Sequence, residues 1–185
     1  MNSLSRRKFL NTAGKTVFCA CAGRCLLLSD NALALPSKEE PDAYCGIYCA
    51  ACPAYLESKQ AKRHADIKCL GCKSAEKPPA YRTKCAVRKC AVSRNLASCG
   101  LCKEFPCAKF EGFFNDKPKY GLREKYLHEI RAKGHAKWLQ EAKTRWTCPK
   151  CGAPFGYGMT ACPKCGAKIF TDTEEFEAYK QTKTK

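Results

Sequence analysis

Two near-identical pentapeptides carry the most specific chemistry in this chain. They are Cys148-Pro149-Lys150-Cys151-Gly152 and Cys162-Pro163-Lys164-Cys165-Gly166. Each Cys-x-x-Cys turn sets two sulfurs within reach of one ion. Two such turns supply the four thiolates that a tetrahedral, thiophilic cation takes up. A Gly after each second Cys is expected to let backbone N–H groups turn toward the sulfurs. The spacing therefore predicts a Zn2+ site of Cys148, Cys151, Cys162 and Cys165 on a short β zinc ribbon over residues 146–170.

Ten more cysteines stand upstream, at Cys45, Cys49, Cys52, Cys69, Cys72, Cys85, Cys90, Cys99, Cys102 and Cys107. Three pairs, 49/52, 69/72 and 99/102, repeat the Cys-x-x-Cys bite and read as metal ligands. Cys85 and Cys90 differ. Five residues on a regular helix turn through about 140° past a full circle, so a straight helix cannot aim both at one ion. One of them is expected at a helix end. The simplest count is two four-thiolate sites with two thiols to spare, the spare pair being a disulfide or a redox pair. Which cysteines share a site is not legible in the spacing.

The segment opens Cys45-Gly-Ile-Tyr-Cys49-Ala-Ala-Cys52-Pro and closes Cys99-Gly-Leu-Cys102-Lys-Glu-Phe-Pro-Cys107. In this it resembles a bacterial and archaeal family of Cys-rich domains of unknown function. Over roughly residues 43–115 the resemblance implies metal binding and no particular reaction. The metal reads as Zn2+ or a [4Fe–4S] cluster, with zinc favoured because paired Cys-x-x-Cys turns are its usual mark. Cys45-x3-Cys49-x2-Cys52 also matches the three-Cys motif of radical S-adenosylmethionine enzymes. Those enzymes need a long strand–helix alternation that this segment lacks.

The N-terminus reads as an address. Ser5-Arg6-Arg7-Lys8-Phe9-Leu10-Asn11 resembles the twin-arginine export motif. A weakly apolar stretch follows, then Ala32-Leu33-Ala34, an Ala-x-Ala cleavage signal. Residues 1–34 are expected to be a signal peptide read by the twin-arginine export machinery, delivering the chain to the bacterial periplasm. The apolar stretch is too short and interrupted to span a membrane, and no span is expected in the mature chain. Loading metal in the reducing cytoplasm before export would protect thiols that oxidise outside.

Composition supports a metal-stapled molecule. Seventeen Cys among 185 residues far exceed ordinary usage, while apolar runs are few. Metal cross-links would make up for a modest core. The net charge is +17, but the 151 residues after the signal hold 29 basic and 16 acidic side chains. Three four-thiolate sites, each with a divalent ion, would lower their excess to about +7. That charge is dispersed, so nucleic acid is not the favoured partner. An unidentified protein or small ligand is. No Ser-His-Asp arrangement, phosphate loop or His-Glu-x-x-His motif points to catalysis.

Between the Cys clusters, the sequence predicts a helix over 53–62, a loop over 73–82 and helical residues 120–145 interrupted by Gly134. Basic residues from Arg123 to Arg145 read as a solvated outer face. The three histidines read as isolated surface residues. Asp172 and Glu175 stand at capping-box distance on a short last helix within 171–185, with a frayed tail from 181. The expected architecture is small metal-stapled α+β. A mostly helical ten-Cys module (43–115) leads through a helical linker to the β ribbon. The alternatives are an iron–sulfur or dithiol redox protein, and a nucleic-acid-binding ribbon protein if the chain is not exported.

Overall fold

A computed structural model describes residues 41–74 and 80–183. The signal-peptide reading, residues 1–34, and part of the predicted 73–82 loop lie outside the described residues. The described chain is mostly helical. Its α-helices are α1 (Pro53–Gln60), α2 (Ala80–Thr83), α3 (Ala86–Ser93), α4 (Pro118–Lys133), α5 (His135–Arg145) and α6 (Asp172–Lys183). Short 3-10 turns at Cys49–Ala51, His64–Asp66, Cys99–Leu101 and Ala108–Phe110 join them.

Helix α4 divides the core. Leu122, Tyr126 and Ile130 recur every four residues and face one cluster. That cluster includes Tyr48, Trp138, Trp146, Tyr157 and Phe176. Leu127 enters a second cluster with Tyr44, Val87, Ala91, Phe105 and Phe110. Pro118 sits in the first turn of α4, where its missing N–H costs nothing. The helix stops at Gly134, whose φ of +83° is a conformation that side-chain-bearing residues rarely adopt. Chain direction then changes into α5, so the interrupted pattern resolves into two helices.

The α+β expectation is corrected: no strand occurs among the described residues. Where the ribbon was expected, each Cys pair is flanked by a single antiparallel bridge, Thr147 with Pro154 and Ala161 with Lys168. The residue pattern explains why. Pro149 and Pro163 follow the first Cys of each pair, and Pro154 has no N–H to give a growing ladder. Gly152 and Gly166, at φ +70° and +68°, turn the chain sharply after the second Cys.

Helix α6 begins one residue away from the predicted box. Thr171 is the cap: its Oγ1 accepts from the Glu174 N–H (3.0 Å), and the Glu174 carboxylate accepts from the Thr171 N–H (2.7 Å). Asp172 and Glu175 are instead buried. Asp172 accepts from the Gly158 N–H at 3.0 Å. Glu175 accepts from Lys125 (2.8 Å), Arg145 Nε (2.8 Å) and the Tyr126 hydroxyl (3.2 Å), tying α6 to α4 and α5. The tail is less frayed than expected: the helix runs to Lys183, which pairs with Glu124. Replacing the cap, Thr171→Ala, should cost about 1 kcal/mol. A urea titration should show a lower midpoint with unchanged slope and unchanged metal content.

Candidate metal centre

The C-terminal knuckles converge as the spacing requires. The sulfurs of Cys148, Cys151, Cys162 and Cys165 all lie within 4.8 Å of one another. Cys148 Sγ is 3.7 Å from Cys165 Sγ, and Cys151 Sγ is 3.6 Å from Cys162 Sγ. A tetrahedron with metal–sulfur bonds of about 2.3 Å has edges of about 3.8 Å. The donor set therefore fits a bound metal ion. Cys148 and Cys162 are buried, while Cys151 and Cys165 are half-buried.

Each knuckle closes on itself in the same way. The Gly152 N–H donates to the Cys148 carbonyl and the Gly166 N–H to the Cys162 carbonyl, both at 2.9 Å. These amides bind backbone oxygen, where the sequence suggested sulfur. The Cys148 and Cys162 N–H groups donate to the Ala153 and Ala167 carbonyls, both at 2.8 Å. The thiols are electrostatically unequal. Desolvation opposes ionisation of Cys162, but the Cys165 and Lys164 amides and neighbouring thiols draw it down to about 6. The Ala167 amide favours ionisation of Cys165, but the Cys151 thiol and desolvation push it up to about 12. The Cys162 thiolate thus forms readily, while the proton of Cys165 is held until a cation displaces it.

Aromatic residues seat the knuckles on the helices. Trp146 packs on Tyr157 (centroids 4.4 Å apart) and Phe155 (5.5 Å). The Tyr157 N–H donates to the Ala51 carbonyl at 2.9 Å, and its hydroxyl accepts from the Tyr48 N–H at 3.2 Å. The first Cys segment and the last are therefore in direct contact.

Seven of the ten upstream cysteines, Cys45, Cys49, Cys72, Cys85, Cys99, Cys102 and Cys107, sit in or against the second core cluster. None of the ten joins a group of three thiols as tight as the C-terminal one. Burial pushes the Cys72 thiol up to about 11, and its neighbours Cys45 and Cys85 act in the same direction. Cys49 is also pushed well above its usual range by burial, with Cys72 adding to the effect. Cys45, Cys49, Cys72 and Cys85 thus lie within electrostatic reach as one neighbourhood. Cys90, Cys99, Cys102 and Cys107 line a single recess, and Cys45 reaches Cys99 as well. Burial, then Cys45, Cys102, Cys90 and Cys107, raise Cys99 to about 12. Cys52 Sγ takes a separate contact from Lys119 Nζ at 3.2 Å, and Cys69 Sγ accepts from the Gly71 N–H at 3.3 Å.

Local structure explains how these thiols are aimed. Cys85 is the N-cap of α3 and Cys90 lies inside that helix, which places one of the pair at a helix end as expected. Ser58 of α1 fixes the start of the Cys69 knuckle, accepting from the Lys68 N–H (2.9 Å) and the Cys69 N–H (2.8 Å). Gly100 docks Cys99 on α4 so closely that an added Cβ would sit 2.6 Å from the Leu127 carbonyl oxygen.

A buried polar triangle escaped the sequence reading. Lys73 Nζ donates to Asp42 Oδ1 (2.8 Å), and His135 Nε2 lies 3.0 Å from Asp42 Oδ2. The Lys73 and Asp42 side chains are 1% and 0% exposed, and that of His135 is 9% exposed. His135 is thus no surface residue, whereas His64 and His128 are exposed. The triangle is sealed from solvent and joins the segment before Cys45, the residue after Cys72 and the start of α5. Sealing makes it a latch with no access for a substrate.

Five of the seven basic residues read as a solvated face have partners inside the molecule. Arg123 stacks on Phe113 and Tyr120, Lys125 and Arg145 hold Glu175, Lys133 holds Glu141, and Arg131 donates to the Gly100 and Cys102 carbonyls. No described helix is long and apolar enough to cross a membrane.

Comparison with known proteins adds a family for one part of the chain. No curated protein and no solved structure matches it. Residues 42–112, less than half of the chain, match the model of a family described as a protein of unknown function, DUF3795. That stretch contains all ten upstream cysteines and stops before the knuckles, so the resemblance carried by the Cys spacings holds over it. Over these residues, the chain is similar to DUF3795.

Proposed function

We propose that this chain is an exported, zinc-binding, Cys-rich protein that acts as a structural or interaction module in the periplasm, with no catalytic reaction of its own. The observation that carries the zinc assignment is the closeness of the four C-terminal sulfurs, with edges of 3.6 and 3.7 Å. Such edges suit a lone tetrahedral ion, and all-thiolate donors in paired Cys-x-x-Cys turns favour Zn2+. Zinc here is structural: four protein ligands leave no open position for water or substrate. Export rests on the twin-arginine motif at Arg6-Arg7 and the Ala32-Leu33-Ala34 signal. Internal use of the basic side chains disfavours a nucleic-acid partner, and a protein or small ligand outside the cytoplasm is the better fit.

The test is metal analysis of the full chain recovered from an exporting bacterial host, with mass spectrometry of its N-terminus. The expected result is a chain starting near Leu35 that carries about one zinc at the knuckles, lost in the Cys151→Ser variant. A zinc content untouched by that substitution would refute the site. An uncleaved cytoplasmic chain would refute export. The redox alternative is favoured by a separate observation, the looser spacing of the upstream thiols.

A further inference from the structure

We infer that Cys90, Cys99, Cys102 and Cys107 together hold a [4Fe–4S] cluster, separate from the zinc site. This rests on the reading of the cysteines as metal ligands. It assigns one ligand set that sequence spacing leaves open. The four residues come from three places. Cys90 belongs to α3, Cys99 and Cys102 flank the Gly100–Leu101 turn, and Cys107 precedes the Ala108–Phe110 turn. All four line one recess.

Size discriminates between a lone ion and a cluster. At the C-terminal site the sulfurs close to 3.6 and 3.7 Å. Among the described residues the C-terminal four are the thiols drawn into a metal-sized group, and none of the ten upstream thiols joins one. In a cluster each thiolate binds its own iron, so the sulfurs stand farther apart around a larger centre.

The surroundings fit a cluster as well. Val87, Ala91, Leu96, Phe105 and Phe110 supply an apolar wall. Arg94 Nη1 lies 3.6 Å from Cys102 Sγ and is held by Glu104 at 2.7 Å. Arg131 of α4 donates to the Gly100 and Cys102 carbonyls. Two guanidinium groups beside a site of four thiolates offset its negative charge, and contacts to cluster sulfurs tune its potential.

The test uses the full chain purified without oxygen, assayed for iron, acid-labile sulfide and zinc. The expected result is a visibly coloured protein in which Cys102→Ser and Cys107→Ser each lose about four iron and four sulfide per chain. Cys52→Ser and Cys69→Ser should keep them. Cys151→Ser should lose zinc and keep iron, so failure here and failure of the zinc assignment read out separately. Near-UV circular dichroism of Trp138 and Trp146 reports whether each variant folds. Should a variant fail to fold, X-ray absorption at the iron edge of the unaltered chain decides, because iron–iron scattering marks a cluster. A colourless chain holding only zinc would overturn the inference. Disulfides among these four cysteines, or iron retained in the folded Cys102→Ser and Cys107→Ser variants, would overturn it equally.

Discussion

Cys165→Ser should abolish metal binding at the knuckles and unfold residues 147–170. Zinc per chain should fall from about one to near zero, because a structural site with three thiolates forfeits most of a binding energy of order 10 kcal/mol. The effect should not stay local. Trp146 is buried against Tyr157, and Tyr157 is held by Ala51 and Tyr48 of the first Cys segment. The near-UV signal of Trp146 should collapse with the metal, and the thiols of the first segment, Cys45, Cys49 and Cys52, should become more reactive toward an alkylating reagent. The measurement is zinc content beside thiol counting in the same sample. Full zinc with an unchanged aromatic spectrum would show that Cys165 is no ligand.

The second large effect is expected at the sealed triangle. Lys73→Met leaves the buried Asp42 carboxylate beside His135 without its lysine, and breaking a buried ion pair from one side costs about 3–5 kcal/mol. That is a large share of a domain's total stability. Removing both charges together, Asp42→Leu with Lys73→Met, should recover most of the loss, since a well-packed apolar pair is often as stable as the ion pair it replaces. Urea unfolding of the two variants and the unaltered chain measures this. A single variant within about 0.5 kcal/mol of the original would mean that water reaches the pair.

Local features of this fold were legible before any coordinates. Gly134 announced the break between α4 and α5, Pro53 the start of α1, and the unsuitable spacing of Cys85 and Cys90 placed one of them at a helix end. The C-terminal thiols could be grouped because both pairs stand in short repeated turns. What failed needed knowledge of distant neighbours. His135 looked isolated because its partners, Asp42 and Lys73, are 93 and 62 residues away. The capping box slipped by one because Asp172 and Glu175 have buried partners on other segments, which local spacing cannot register. Cys-x-x-Cys turns do not by themselves dictate flanking ladders, so the expected β ribbon is reduced to isolated bridges. Pro154 and the turning glycines leave room for single bridges alone. Grouping of the ten upstream thiols depends on how α3 and two turns meet beside α4, and spacing does not encode that.

The contact of Ala51 and Tyr48 with Tyr157 bears on how the chain is made. A ribosome delivers the chain in order, and Tyr48 emerges 109 residues before Tyr157. Until Tyr157 leaves the exit tunnel, Tyr48 and Ala51 lack these two hydrogen bonds, and the loop to be closed is long. The Tyr48 and Ala51 backbone groups therefore spend most of translation without these partners, and this contact is among the last to form.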